Sequence, residues 1–160
     1  MIKKEVLKKI NEQIKLEYES AFIYKGMSIQ LAGMGWDGFA HWMHAQYHEE
    51  IEHAEEMINY VISRGENPEL GDIKMADFKF EKVVEFFEKS YTHECLVSKR
   101  INDIVAAAIE EKDYASENFF RKFVDEQVEE EDNVAGIVDK MKGANEAGLM
   151  ILDGRLGQRQ

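Results

Sequence analysis

The chain has 160 residues, of which 44% are hydrophobic and 32% are charged, and its formal net charge is −12 at pH 7. This size and composition suit one domain with a buried core over residues 1–160, and they exclude a disordered polymer. The negative charge argues against binding to nucleic acid or to an anionic membrane. It suits a protein that concentrates cations, but composition alone favours the simpler explanation that the acidity keeps the protein soluble.

The residue pattern favours an all-helical protein. There is one proline, and no segment alternates hydrophobic and polar residues at every second position as a strand would. No window of 18 uncharged apolar residues exists, so no membrane-spanning helix is expected. No signal peptide is visible, and the single cysteine, Cys95, rules out an internal disulfide. We therefore expect a cytoplasmic protein.

Four long amphipathic helices are predicted in chain order. The first covers about residues 4 to 32, and the second starts at a predicted N-cap, Asp37, and ends near Gly65. The fourth starts after a predicted N-cap, Asp113, and ends at Gly143. The inner face predicted for the third helix consists of Phe80, Val84, Phe87, Tyr91, Glu94, Ser98, Ile101, Val105 and Ala108.

The connection between the second and third helices, residues 66–79, has no clear periodicity. It is longer than the roughly 2–8 residues that usually join neighbouring helices of a bundle. Fully extended, it is long enough to span a helix of about 30 residues. Two topologies therefore remain open at this point: a crossover along the whole bundle, with parallel second and third helices, or a simple turn.

The tail, from Asn145 to about Arg155, contains the apolar run Leu149-Met150-Ile151-Leu152. It is predicted to form a short fifth helix. Both a contact with other subunits and packing on its own bundle account for the apolar run.

Polar residues interrupt the middle of each inner face, although both ends of each face are apolar. The interrupting residues are Glu17, Glu50, His53, Glu94, Gln127 and Glu130. Glu17 precedes Glu50 by 33 residues, and Glu94 precedes Gln127 by the same 33. The chain therefore consists of two helix pairs built on one plan, and antiparallel pairing brings the interruptions to one level of the bundle.

A metal site explains these interruptions. A buried carboxylate is costly unless a cation or a hydrogen-bond donor meets it. The four acids Glu17, Glu50, Glu94 and Glu130 carry four negative charges, which two divalent cations cancel. Taken singly, each acid is more simply explained as part of a solvated helix face. Their shared level and matched spacing favour the metal site.

Two metal positions are predicted. One is formed by Glu17, Glu50 and His53, and the other by Glu50, Glu94 and Glu130, so that Glu50 bridges the two ions. Carboxylates with one imidazole suit Fe, Mn or Zn, and the ligands alone do not name the metal.

Two further residues lie near these positions. Gln127 is neutral and is predicted to hydrogen-bond a bound water or oxygen species rather than the metal. Tyr24 lies two turns from Glu17 on the same face, where it either bonds a ligand carboxylate, donates an electron or packs as an ordinary core aromatic.

With these residues the chain resembles the non-haem bacterial-type ferritins of the ferritin-like di-iron carboxylate family, over essentially its full length. That family builds its site from one Glu on each of two helices and Glu-x-x-His motifs on the others. In this chain Gln127-x-x-Glu130 replaces the second motif, as in true ferritins. The matching residues are Glu17, Tyr24, Glu50-x-x-His53, Glu94 and Glu126-Gln127-x-Glu129-Glu130.

The resemblance implies a fold, a function and an assembly. The fold is an all-α, ferritin-like four-helix bundle with a long crossover between helices two and three and a short C-terminal fifth helix. The function is iron storage, in which a ferroxidase oxidises Fe(II) to Fe(III) with O2 or H2O2 at a di-iron centre. The assembly is a homo-oligomeric shell of 24 subunits that holds the ferric mineral.

The resemblance also implies roles for individual residues. The catalytic set is Glu17, Tyr24, Glu50, His53, Glu94, Gln127 and Glu130. A third iron site uses Glu49, Glu126 and Glu129 together with Glu130.

Three departures from related families refine this expectation. Lys122 stands where many members carry a Trp near the centre, which affects the route of electron transfer. Ile51 replaces the haem-ligating Met of bacterioferritins, so no haem is expected. One cysteine excludes the cysteine-rich iron module of rubrerythrins. The alternative functions are a di-iron peroxide reductase and a redox-inactive metal-binding bundle.

Overall fold

The computed structural model describes residues 1–75 and 79–160. Its helices are α1 (Lys4–Gly33), α2 (Asp37–Ser63), α3 (Val83–Glu110), α4 (Tyr114–Lys142) and α5 (Glu146–Leu156). Helix α1 pairs with α2 and also packs on α3, α3 pairs with α4, and α5 packs on α2. The prediction of an all-α four-helix bundle with a short fifth helix is confirmed. Within the described ranges, none of the helices is both long and apolar enough to cross a membrane.

The connection between α2 and α3 runs along the length of α1. The backbone N–H of Glu69 donates to Asn11 Oδ1 at 3.2 Å, and the N–H of Phe80 donates to Gln30 Oε1 at 3.4 Å. These two α1 side chains are about 28 Å apart at 1.5 Å per helical residue. The connection thus returns to the end of the bundle where α2 began, and α2 and α3 are parallel. The long crossover is confirmed, although residues 76–78 of the predicted link lie outside the described residues.

Most of the predicted helix ends are confirmed, but α3 begins at Val83, so Phe80, predicted on its inner face, lies before the helix. Asp113 is the N-cap of α4, and its carboxylate accepts a hydrogen bond from the backbone N–H of Ser116 at 3.3 Å. Gly143 is the C-cap of α4. Gly65 follows α2 with a φ of 78°, a left-handed conformation that glycine adopts without strain.

The N-terminus of α2 is capped by a different acid from the one predicted. Asp37 is the first residue of α2 and not its N-cap. The backbone N–H of Phe39 instead donates to Asp153 Oδ1 of α5 at 2.8 Å. The carboxylate that satisfies this helix end therefore comes from a segment more than 100 residues away, which local sequence patterns do not reveal.

Helix α5 packs on its own bundle, as one of the two alternatives for the tail predicted, and contact of the tail with other subunits stays a prediction. Leu152 is 9% exposed, and Leu149 and Leu156 pack against the same core cluster. Met150 and Ile151 lie on the opposite side of α5 and are 64% and 61% exposed. The apolar run therefore divides into an inward and an outward half.

Gly38 permits the close approach of α5 to α2. A Cβ atom at this position would lie 1.8 Å from the backbone oxygen of Asp153, so Gly38→Ala must displace α5. We expect a loss of about 2–4 kcal/mol in the free energy of unfolding, measured by chemical denaturation, and faster proteolysis of the tail. Gly154→Ala is the matched control, because a Cβ there meets no atom within 4 Å. Equal stability of the two variants would contradict this account of the docking.

The bundle interior contains two apolar clusters separated by a polar layer. One cluster, next to α5, includes Tyr24, Met27, Leu31, Phe39, Met43, Phe86, Phe87, Val134 and Leu152. The other, at the far end, includes Val6, Ile10, Ile14, Met57, Val61, Val97, Ile101 and Phe120. The buried polar residues between the clusters include Gln13, Glu17, Gln46, Glu50, His93, Glu94 and Gln127. The prediction of apolar ends and polar middles on the inner faces agrees with this arrangement.

Candidate metal centre

The polar layer gathers acidic side chains from all four long helices. Glu17 of α1, Glu50 of α2 and Glu94 of α3 are 1%, 3% and 0% exposed. His53 of α2 and Glu130 of α4 are half-buried. Carboxylates this deeply buried are rare unless they are paired, so the layer is built to hold positive charge.

The first predicted ligand set is brought together. One ligand atom each from Glu17, Glu50 and His53 lie within 4.8 Å of one another. Metal–ligand bonds of roughly 2.0–2.2 Å place ligand atoms about 3–4 Å apart, so a small closure around an ion completes the geometry. His53 Nδ1 is 3.9 Å from Glu17 Oε2, too far for a direct hydrogen bond.

Four buried oxygen atoms in this layer have no hydrogen-bond partner among the described residues. They are Gln13 Oε1, Glu17 Oε2, Gln46 Oε1 and Glu50 Oε2. The glutamine oxygens are acceptors, and so is each carboxylate oxygen once it is deprotonated, and an unpaired buried acceptor costs free energy. A cation held between Glu17 and Glu50 would give their free oxygens a partner.

The carboxylate of Glu94 is held in a fixed orientation by two donors. The Tyr24 hydroxyl donates to Oε1 of Glu94, and Gln127 Nε2 donates to Oε2 at 3.0 Å. Tyr24 therefore makes the ligand contact that was one of its predicted roles. Gln127 orients Glu94 in this structure, and its predicted contact with a bound water or oxygen species stays a prediction.

Glu130 completes the layer at its outer edge. Gln46 Nε2 donates to its Oε2 at 3.2 Å. The compact three-residue group found in the described part of the chain includes neither Glu94 nor Glu130. The second predicted set, Glu50 with these two acids, is therefore more open than the first.

Burial and mutual repulsion raise the pKa values of these acids. Burial, followed by the charge of Glu17, raises the pKa of Glu50 well above its usual range. Burial raises the pKa of Glu94 to about 7, although hydrogen bonds from its neighbours act in the opposite direction. The pKa of Glu130 is also raised, first by burial and then by the charge of Glu49. The metal-free cluster therefore retains protons near neutral pH, and a cation that binds there displaces them.

The acids predicted for a third site lie further out and apart. Glu126 and Glu129 are exposed, and Glu49 is half-buried. Glu126 Oε2 is 3.6 Å from His53 Nε2, whereas Glu49 Oε2 accepts a hydrogen bond from Arg159 at 2.6 Å. The structure does not gather these three acids into one group within the described residues.

Two glutamines were missing from the predicted site. Gln13 Nε2 donates to Glu17 Oε1 at 2.7 Å, and Gln46 contacts Glu130 as described. Each glutamine precedes an acid of the site by four residues, Gln13 before Glu17 and Gln46 before Glu50. Gln13 and Gln46 are 33 residues apart, as Glu17 and Glu50 are. The sequence therefore contained a signal for both glutamines.

A buried histidine was also missing. His93 is 5% exposed, and its Nε2 lies 2.5 Å from Ser20 Oγ. The Ser20 hydroxyl donates to the Leu16 carbonyl oxygen, so the histidine N–H is the donor in the contact with Ser20. Burial lowers the pKa of His93 to about 4, so the ring is neutral at pH 7. His93 ties α3 to α1 at the level of the acids.

Lys122 lies outside the acid cluster. Its ammonium group pairs with Glu56 and lies 4.7 Å from the centre of the Phe123 ring. Phe123 in turn packs edge-on against His53, with ring centres 5.5 Å apart. The lysine thus contacts the ring that packs against a ligand, and not the ligand itself.

Comparison with known proteins gives consistent matches. A family model described as a ferritin-like domain matches residues 7–144. The chain is 42% identical to a bacterial non-heme ferritin of Bacteroides fragilis, over 99% of this chain and 100% of that protein. It is 37% identical to a bacterial non-heme ferritin of Campylobacter jejuni, over 96% of this chain and 93% of that one. An open-pore ferritin of the archaeon Archaeoglobus fulgidus superposes with a TM-score of 0.97 at 36% identity, covering 100% of both chains.

Proposed function

The chain belongs to the ferritin family, and we propose that it stores iron by oxidising Fe(II) to Fe(III) and retaining the product as a ferric mineral. The observation that carries this proposal is the cluster of buried acids with unpaired oxygen atoms inside the bundle. The named relatives supply the identity of the metal, because the ligands themselves also suit Mn and Zn.

Iron is the substrate here, and the proposed centre holds two ions. Glu17 and His53 bind one ion, Glu94 and Glu130 bind the other, and Glu50 bridges them. The compact group around Glu50 supports the first position. The shared layer of the other two acids supports the second.

The charges of the proposed site balance. The four glutamates carry four negative charges when deprotonated, and two Fe(II) ions carry four positive charges. This neutrality matters because the layer is closed by apolar clusters on both sides, where an uncompensated charge is costly. Oxidation to Fe(III) with an oxo bridge leaves the total charge unchanged, so the same ligands accommodate both states.

The electrons also balance. Each Fe(II) that becomes Fe(III) gives up one electron, and reduction of O2 to H2O2 takes two electrons and two protons. Two ions held side by side supply this pair in one event. When H2O2 is the oxidant, the same two electrons and two protons reduce it to water.

The protein's own groups position the ions for this reaction. Tyr24 and Gln127 fix both oxygens of Glu94, and Gln13 holds one oxygen of Glu17. Fixed ligands lower the reorganisation that accompanies the change in iron charge. The Tyr24 hydroxyl, buried and bonded to a ligand, is also placed to pass an electron to the site.

The remaining features of the proposal rest on family membership. We propose a single domain over residues 1–160 and a homo-oligomeric shell of 24 copies. We also propose a third iron position at Glu49, Glu126, Glu129 and Glu130, a centre without haem, and a cytoplasmic location that accords with the single cysteine.

The test is direct. Metal-free full-length protein is loaded anaerobically with Fe(II) and then mixed with air, while O2 uptake and ferric absorbance are recorded. We expect O2 consumption much faster than in buffer and a soluble ferric product that co-elutes with a large hollow particle. Oxidation at the buffer rate would refute the ferroxidase. Peroxide turnover with an external reductant and no mineral would identify a peroxide reductase instead, and tight Zn²⁺ binding without iron oxidation would identify a redox-inactive bundle.

A further inference from the structure

The C-terminal end of the chain reaches the candidate metal centre through Arg159. Its guanidinium donates to Glu49 Oε2 at 2.6 Å and lies over the Trp42 ring, 4.8 Å from the ring centre. Its carbonyl oxygen accepts a hydrogen bond from His41 Nε2 at 2.6 Å. Three contacts with α2 therefore hold a cation that lies beyond the end of α5.

The position of this cation is defined by the docking of α5. Arg159 follows the C-cap Gly157 by two residues, and α5 itself is fixed where Asp153 meets the start of α2 at Gly38. The side chain of Arg159 is only 21% exposed. The tail is thus anchored, and its guanidinium is placed on an acid of the centre.

Arg159 stands at the outer edge of the acid cluster. It lines an open cavity of about 460 Å³ together with Glu130 and Trp42. Its partner Glu49 directly precedes Glu50, the proposed bridging ligand. A metal ion that binds Glu49 Oε2 must displace the guanidinium, and one that reaches Glu130 from this cavity passes close to it.

We propose that Arg159 is a tethered cation that occupies the Glu49 side of the centre until a metal ion displaces it, so that the tail controls filling of the outer metal position. This inference rests on the proposed function. Arg159 acts through Glu49: its guanidinium competes with a metal ion for this carboxylate and takes no part in the oxidation itself.

The competition follows from the chemistry of the carboxylate. Glu49 Oε2 is engaged by a charge-assisted hydrogen bond, and an ion that binds the same oxygen must break it. The pair is partly exposed, with Glu49 41% accessible, so its stabilisation is modest and a divalent ion can replace it. The consequence is an order of filling, in which the two inner positions fill first and the outer one is the weakest.

The test measures binding of Co²⁺, which reports metal binding without iron oxidation. Full-length metal-free protein is titrated by equilibrium dialysis, and the visible spectrum of each bound ion is recorded. We expect Arg159→Gln to tighten the weakest Co²⁺ about fivefold and to leave the two tighter ions unchanged. Arg155→Gln is the matched control, since this residue lies in the last turn of α5, four residues before Arg159, and lines the same cavity. It is expected to bind Co²⁺ as the unaltered chain does.

Two further variants separate charge competition from a structural role of the tail. Arg159→Lys retains the charge and is expected to retain most of the control. In a Glu49→Gln background, Arg159→Gln is expected to have no further effect, because the shared ligand is gone. Unchanged or weaker binding in Arg159→Gln, the same change in Arg155→Gln, or only two bound ions in both the unaltered chain and Arg159→Gln would overturn the proposal. The expected Co²⁺ pattern without Fe(II) oxidation would refute the ferroxidase alone.

Discussion

Glu50→Gln is expected to slow Fe(II) oxidation by at least about 100-fold. Glu50 is the proposed bridge, so its replacement removes a ligand and a negative charge from both iron positions at once. The amide has the same size as the carboxylate, and the residue is 3% exposed, so the change leaves no cavity in the core. Initial rates of O2 uptake after anaerobic Fe(II) loading measure the effect.

Glu52→Gln is the control for this variant. It removes one negative charge from the same helix, two residues further along, but its side chain is exposed. We expect its oxidation rate to stay within about twofold of the unaltered chain, since surface charges are screened by salt. Rapid oxidation by Glu50→Gln would remove the bridging role from the proposal, and equal loss in Glu52→Gln would attribute the effect to overall charge.

The convergence of the acids was predictable from the sequence because helix geometry is regular. Residues spaced by three and four share a helix face. In an antiparallel helix pair, residues at equal distances from the connecting turn lie side by side at the same height of the bundle. The equal spacing of Glu17 to Glu50 and of Glu94 to Gln127 therefore carried real geometric information. In the structure Glu17 and Glu50 approach each other, and Glu94 and Gln127 are hydrogen-bonded, so each pair meets.

The limits of that reasoning are visible on α3. The predicted inner face contained Tyr91, which is 39% exposed, whereas the fully buried Ser90 and the neighbouring His93 were left out. The buried residues also recur by steps of four and three, but after Phe87 the order is three then four, through Ser90 to Glu94, where the prediction took four then three, through Tyr91. The pattern alone does not fix which step comes first, so the predicted line lies one residue to the side at Tyr91. Glu94 remained on the buried face because that face is wider than one line of residues.

Contacts made by the tail could not be predicted at all. The positions of Asp153 and Arg159 depend on how α5 docks, and that docking depends on the missing side chain of Gly38. No periodic pattern links these residues. The crossover was likewise undecided by spacing, because a turn and a crossover bring the acids to the same level, and only its hydrogen bonds to α1 distinguish them.

The same acids that bind metal are expected to destabilise the metal-free protein as pH rises. Burial raises the pKa of Glu50 well above its usual range and that of Glu94 to about 7, from an ordinary value of 4.5. The folded chain therefore holds protons that the unfolded chain has released, and stability falls as pH increases. This contribution is complete below pH 4.5 and is lost as pH rises through about 7 for Glu94 and higher for Glu50.

His93 opposes this trend at lower pH. Burial lowers its pKa to about 4, from an ordinary value of 6.5. The unfolded chain therefore takes up a proton that the folded chain lacks, and the contribution of His93 to stability is lost as pH falls from 6.5 to 4. Above pH 6.5 His93 is largely neutral in both states, so this opposing effect fades. The decrease in the free energy of unfolding that the acids cause is therefore clearest between pH 6.5 and 7.5.

We expect the metal-free protein to lose about 1–2 kcal/mol in its free energy of unfolding for each pH unit in that window. Chemical denaturation at one protein concentration measures the slope, since assembly makes stability depend on concentration. Glu50→Gln is expected to lower the slope by about 1 kcal/mol per pH unit, because one retained proton is removed. Glu52→Gln should keep the full slope.

Metal binding should reverse the pH dependence. Zn²⁺, which does not change its oxidation state, holds the carboxylates deprotonated and takes over the role of the protons. We expect saturating Zn²⁺ to raise the unfolding midpoint most at pH 7.5 and least at pH 5.5, with protons released on binding as measured in weakly buffered solution. A flat pH profile for the metal-free protein, or equal Zn²⁺ stabilisation of Glu50→Gln, would show that these buried acids do not act as a metal cluster. The destabilising repulsion within the bundle is thus the same property that makes the bundle bind cations.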